Sequence, residues 1–332
     1  MLRPALAAVL LLLTPATSPA AALDCAGQDL IASLPPADRA ELDAATAQAP
    51  YPSGNHWRAV KDDSTIEVIG TMHVYDPRMD APVQRLLPVI RAADAVYLEA
   101  TDSEMEEIQA AMATRPDLMV STGPTLPERL SAADWQTLSA AMVERGIPPF
   151  MASKMQPWYV SVLLSMPPCA MGTMASGADG LDHLIGEAAK AEGKPLHALE
   201  PYDTIFRIFG AIPPEEQIDM LRVALPTAAR SEDMLRTMME SYFREDHRQI
   251  MDFARLAAIR EMPDEADALN QDFTEMEEAL VYARNRAWVE VLRNAAPGKR
   301  LVVAVGAGHL SGKEGLLKLL EQAGYSLARE PF

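Results

Sequence analysis

The chain has 332 residues and a formal charge of −18; 49% of its residues are apolar, 23% charged and 6% aromatic. That length holds one large domain or two modest ones, and the composition excludes collagen-like, coiled-coil and disordered chains. So acidic a surface repels phosphate backbones and anionic lipids, which excludes nucleic acid as a partner.

The first residues read as a processing signal. Arg3 supplies the positive start, residues 5–13 are an unbroken apolar run too short to span a bilayer, and Ala20-Ala21-Ala22 offers a cleavage site. Asp24 precedes Cys25, where a lipoprotein signal needs a small residue. We therefore expect residues 1–22 to be removed and a product without stable membrane insertion, periplasmic or secreted. In that oxidising compartment Cys25 and Cys169, the two cysteines, are expected to pair.

Residues 30–47 have a helical composition, and Tyr51-Pro52-Ser53-Gly54 breaks the run. Residues 57–60 and 65–69 read as a hairpin turning through 61–64, and its second strand runs into Gly70-Thr71-Met72-His73. A helix at 82–93 and a short strand at 95–99 complete a β–α–β unit. The middle is helical: Ser131 caps a helix that stops at Gly146, with Pro148 beyond. Residues 158–171 are apolar but interrupted by Pro167 and Pro168, so they read as core. A helix at 181–191 leads to a strand at 195–199 ending in Glu200. Residues 205–293 are almost wholly helical and Met-rich, and such a Met pattern is more often core packing than an adaptable groove. The last unit is a strand at 301–305, then Gly306-Ala307-Gly308-His309, a helix at 313–323 and a strand at 325–328. Strands alternating with helices imply an α/β fold: a mostly parallel sheet flanked by helices. Residues 23–332 read as one domain, with a large helical insertion or cap at about 205–293.

Two strands thus run into Gly-x-x-His and two into Leu-Glu. In open parallel sheets ligands bind beyond the carboxyl ends of the strands, where His73, His309, Glu99 and Glu200 would sit. Two imidazoles and two carboxylates suit a divalent ion of Mn, Co or Zn, which would activate water while a spare carboxylate serves as base. Each motif is weak alone, and the pattern is as compatible with a metal-free polar pocket for a peptide or small molecule. There is no His-Glu-x-x-His, Gly-x-Ser-x-Gly or Walker A sequence. Gly306-x-Gly308-x-x-x-Gly312 imitates a dinucleotide fingerprint at the wrong spacing. His183 and Glu187 lie one turn apart on a helix, a pattern more often found at a surface or core edge, and His56, His197 and His247 have no partner pattern and read as structural.

At these residues the chain resembles the TraB/GumN family, which includes the Tiki-type metalloproteases and pheromone-shutdown proteins. The matching pieces are Gly70-Thr71-Met72-His73, Leu98-Glu99, Gly180-Leu181-Asp182, Leu199-Glu200, Arg284-Asn285 with Trp288, and Val305-Gly306-Ala307-Gly308-His309. The resemblance implies a fold similar to erythromycin esterase and the haem-binding ChaN proteins. It also implies a metal-dependent hydrolase site with His73, Glu99 and His309 as ligands, and peptide bonds as one substrate class. Glu200 is then the candidate base, Asp182 a further acidic position, and Arg284 and Asn285 polar groups aimed at the same rim. The alternative is a non-catalytic binding protein for a peptide or haem-like ligand using that rim.

Overall fold

The computed structural model describes residues 25–175 and 180–332; the expected signal segment lies outside them. Six strands form one sheet: β1 (His56–Lys61), β2 (Ser64–Thr71), β3 (Ala95–Leu98), β4 (Leu196–Ala198), β5 (Arg300–Gly306) and β6 (Ser326–Arg329). Their order is β4-β3-β5-β2-β1-β6. The four strands from β4 to β2 are parallel, while β1 runs antiparallel to both β2 and β6. The expected hairpin is β1–β2, with Asp62 at its tip at φ 52°, a conformation Asp tolerates better than most residues.

β5 shows why a central parallel strand reads as continuously apolar. Leu301, Val303 and Val305 pack to one side with Ile66, Val68, Trp288, Leu292 and Leu320. Val302 and Ala304 pack to the other with Ile69, Val96, Leu86, Ile185 and Met239. Both faces are therefore covered by helices, and each of these larger side chains contributes about 1.5–3 kcal/mol by burial. The result is the expected α/β layering: helices Ala283–Ala295 and Leu316–Gln322 on one face, Asp80–Ala92, Leu181–Ala191 and Ser231–Phe243 on the other.

Between β4 and β5 the chain is helical from Thr204 to Ala295, as its composition foretold. Part of it, Pro214–Ala228, builds a separate apolar cluster with Ala132–Glu144 and Pro157–Ser165, where Leu138, Met142, Val160 and Leu221 are fully buried. Met79, Met142 and Met239 are likewise buried, so these methionines pack the interior.

Some helix starts differ from the sequence reading, while one break falls where it was expected. The first helix starts at Pro36 rather than residue 30, because a residue before proline resists the helical conformation. The run at 158–171 is split into Pro157–Ser165 and Pro168–Ala175 at the expected prolines. The last helix begins at Leu316 rather than residue 313, since Gly315 is extended (φ −62°, ψ 150°) and forms its N-cap.

Cys25 and Cys169 form a disulfide, with Cα atoms 5.5 Å apart, which tethers the N-terminal segment to helix Pro168–Ala175. Such a bridge belongs to an oxidising compartment. No helix among the described residues is long and apolar enough to cross a membrane.

Candidate functional site

Register fixes which residues meet. Leu98 pairs with Ala304 and with Ala198, and Thr71 pairs with Gly306. The segments that follow all four strands therefore leave the sheet at one edge, carrying His73, Glu99, Glu200 and His309.

His73 is held by the helix Leu181–Ala191. That helix begins against the first Gly-x-x-His segment: the Leu181 N–H donates to Met72 O at 2.9 Å. A Cβ on Gly180 would stand 2.0 Å from Met72 O and 2.6 Å from His73 Cα, so only glycine permits this approach. It brings Asp182 Oδ1 within 3.2 Å of His73 Nδ1. The Asp182 carboxylate beside it outweighs desolvation and raises the His73 pKa to about 9. Its side chain is nevertheless 60% exposed, so water screens part of that attraction.

His309 sits deeper. Its Nδ1 lies 2.8 Å from Asn285 Oδ1, while Asn285 Nδ2 donates to the carbonyls of His309 (3.1 Å) and Glu314 (2.9 Å). Since the amide nitrogen serves two carbonyls, its oxygen must accept, and the proton is placed on His309 Nδ1. The Nε2 lone pair then faces the cluster and accepts from Arg284 Nη1 at 3.2 Å. Burial, with Arg284 and His73 nearby, outweighs Glu99 and lowers the His309 pKa to about 4.

Arg284 joins the carboxylates. Its Nη2 donates to Glu99 Oε2 at 2.6 Å and to Glu200 Oε1 at 2.7 Å, and its Nε donates to Glu200 Oε2 at 2.9 Å. The fully buried Trp288 donates Nε1–H to Glu200 Oε2 at 3.0 Å and lies beneath the guanidinium, 4.8 Å from ring centroid to Cζ. The other Glu99 oxygen accepts the Gly306 N–H at 2.7 Å. Burial alone would raise the Glu99 pKa; neighbouring His309, His73 and Arg284 and the Gly306 N–H reverse that and hold it at about 2. His309 is neutral above about pH 4, so at neutral pH the stabilisation comes from the other three.

Gly306 is the point on which the groups converge. A Cβ there would stand 3.3 Å from Glu99 Oε1, 3.7 Å from His73 Nε2 and 3.7 Å from His309 Cδ2. All seven residues picked from the sequence thus belong to one connected cluster: His73, Glu99, Asp182, Glu200, Arg284, Asn285 and His309. Thr71 was not picked as a site residue: its buried hydroxyl at the end of β2 has no hydrogen-bond partner among the described residues. Only its place in Gly70-Thr71-Met72-His73 signalled it. Three of the remaining histidines have other surroundings: His56 contacts Glu67 and Pro331 O, His247 contacts Asn55 and Tyr51 O, and the His197 ring lies tilted against Tyr97.

The donor types fit a divalent ion. Both imidazoles have Nδ1 beside an oxygen, His309 in a hydrogen bond to Asn285 and His73 at ion-pair distance from Asp182 without hydrogen-bond geometry, and Glu99 lies between them. Against this, Arg284 engages Glu99 and His309 Nε2, which stands 4.0 Å from Glu99 Oε1. Among the described residues no three such side chains stand together at ligating positions.

Fold and site together define an α/β protein with a histidine–glutamate–arginine cluster at the carboxyl edge of its parallel strands. The chain belongs to the TraB/PrgY/gumN family, whose model matches residues 55–329. It is 27% identical over 276 residues to the uncharacterized protein YbaP of Escherichia coli (strain K12), covering 80% of this chain and 94% of that one. YbaP of Shigella flexneri matches to the same extent.

Proposed function

We propose that this chain is an exported metal-dependent hydrolase, with peptide bonds as one substrate class. The observation that supports it most is the convergence on Gly306 of two histidines, each with Nδ1 beside an oxygen, and a carboxylate with its pKa lowered to about 2. His73, Glu99 and His309 would hold the ion, and Asp182 and Asn285 would orient the two imidazoles. A divalent ion there would polarise a carbonyl and supply hydroxide near neutral pH. Glu200, the carboxylate left over, would take the proton of the attacking water after leaving Arg284. The freed guanidinium would then face the oxygen that gains charge. Export accords with the disulfide and with the signal expected at residues 1–22.

The Arg284 contacts favour a second reading, a non-catalytic binding protein, because a guanidinium already neutralises both carboxylates. Calorimetric titration of the purified mature chain with Mn²⁺, Co²⁺ and Zn²⁺ separates the two. The hydrolase reading expects one ion per chain, abolished in His73→Ala and in His309→Ala and weakened in Gly306→Ala, whose methyl enters the shared space. No stoichiometric binding of any of the three ions would refute it.

A further inference from the structure

A cavity of about 1350 Å³ lies between helices Thr204–Ala211, Pro214–Ala228, Ala266–Glu277 and Ala283–Ala295. Residue size creates it. Ala279, Ala283 and Ala287 recur every fourth residue along one wall, and Ala268 and Ala211 stand on others. A π-turn at Glu278–Tyr282 interrupts the helical phase within that wall, a departure often found at functional sites. The remaining lining is adaptable and apolar, with Ile208, Met220, Val223, Leu269, Met276 and Val291. At its inner end stand Glu200 and Arg284, so the cavity abuts the strand-end cluster.

Its charge is one-sided. Setting aside Glu200 and Arg284, five carboxylates line it, those of Glu216, Asp219, Glu265, Asp272 and Glu275, against the two arginines Arg207 and Arg222. Both arginines are already paired, Arg207 with Asp203 at 3.2 Å and Arg222 with Asp219 at 2.7 Å. Burial, with Glu275 and Asp219 nearby, raises the Asp272 pKa. The volume also exceeds the roughly 300–1,000 Å³ of ordinary small-molecule sites.

We propose that this cavity docks an apolar peptide segment flanked by lysine or arginine, its apolar side chains against the alanine and methionine walls and its cations at the carboxylates. Presentation of that segment to the strand-end cluster for cleavage rests on the hydrolase reading; the docking itself does not.

The test uses three blocked, fluorescent octapeptides with the same leucine–valine centre and lysine, glutamine or glutamate at both ends, read by fluorescence anisotropy on the full mature chain. The lysine peptide should bind at least about tenfold more tightly than the glutamate twin at low salt, and the gap should narrow at high salt. Ala268→Trp combined with Ala287→Trp obstructs the cavity from two exposed helix positions. Binding of the lysine peptide should fall at least about tenfold while the circular dichroism spectrum and metal titration stay unchanged. Should that variant fail to fold, Asp272→Asn with Glu275→Gln is expected to erode the preference for lysine over glutamate. Equal binding of the lysine and glutamate peptides, or undiminished binding by a folded double-tryptophan variant, overturns the proposal. A wild-type chain that takes the peptide but no metal overturns the hydrolase reading and leaves the docking standing. One that takes metal and none of the peptides does the reverse.

Discussion

Replacing Arg284 by methionine keeps a long unbranched side chain and removes the one guanidinium that Glu99 and Glu200 share. Three hydrogen bonds of 2.6 to 2.9 Å are lost, and the carboxylates left behind are only 18% and 13% exposed. Glu99 retains the Gly306 N–H and the nearby protonated His73, whereas Glu200 retains only the neutral Trp288 N–H. Removing one partner of a buried pair costs about 3–5 kcal/mol, because the other charge stays buried without compensation. Against a total stability of about 5–15 kcal/mol, urea denaturation at pH 7 reads such a loss easily. The sign of its pH dependence follows from the same cause. Arg284 is one of the groups that lower the Glu99 pKa, so in the variant that pKa rises in the folded state and the deficit shrinks as the pH falls through it. Adding Glu200→Gln should restore at least about 1 kcal/mol, since one of the uncompensated charges is then gone. A deficit below about 1 kcal/mol, or one independent of pH and of Glu200, would refute the claim that this arginine is the resident counter-charge of the site.

Three more outcomes are expected. Buried His247 has its pKa lowered to about 4 by desolvation and by Arg329 and Arg248, so stability should fall as pH drops from about 6.5 to about 4. The loss is on the order of 3 kcal/mol, and the difference between wild type and His247→Asn in urea midpoints across that range isolates it. Gly180→Ala would drive a methyl into Met72 O, and because backbone must move, it should lower the thermal midpoint and disorder His73 in NMR spectra. Unchanged His73 resonances would show that the helix start does not position that ring. Reducing the Cys25–Cys169 bridge, or substituting both cysteines by serine, opens a link across 144 residues and should cost about 2–4 kcal/mol in denaturant titrations. No loss would mean that the N-terminal segment is anchored without it.

Much of this molecule was legible from the chain alone, for identifiable reasons. β5 sits between two helical layers, so Leu301 to Val305 must be apolar at every position, and that run announces a central parallel strand. The helix Leu181–Ala191 was read to its exact ends because glycines flank it. The family resemblance, more than spacing, drew Asp182, Arg284 and Asn285 into the site. Sequence order cannot give the register that sets Thr71 beside Gly306, nor show that a guanidinium would bridge Glu99 and Glu200, 101 positions apart in the chain. The side-chain pairing of Arg284 with both carboxylates depends on helix Ala283–Ala295 packing against the sheet through Trp288, a contact fixed by the whole core rather than by any local preference. The cavity was equally hidden. Alanines favour a helix whether they are packed or open, and only the placement of four helices leaves them facing empty space. The sequence therefore determined the strand ends and the chemical types they carry. Tertiary packing decided their partners, their charge states and the chamber beside them, because those depend on distances between segments far apart in the chain.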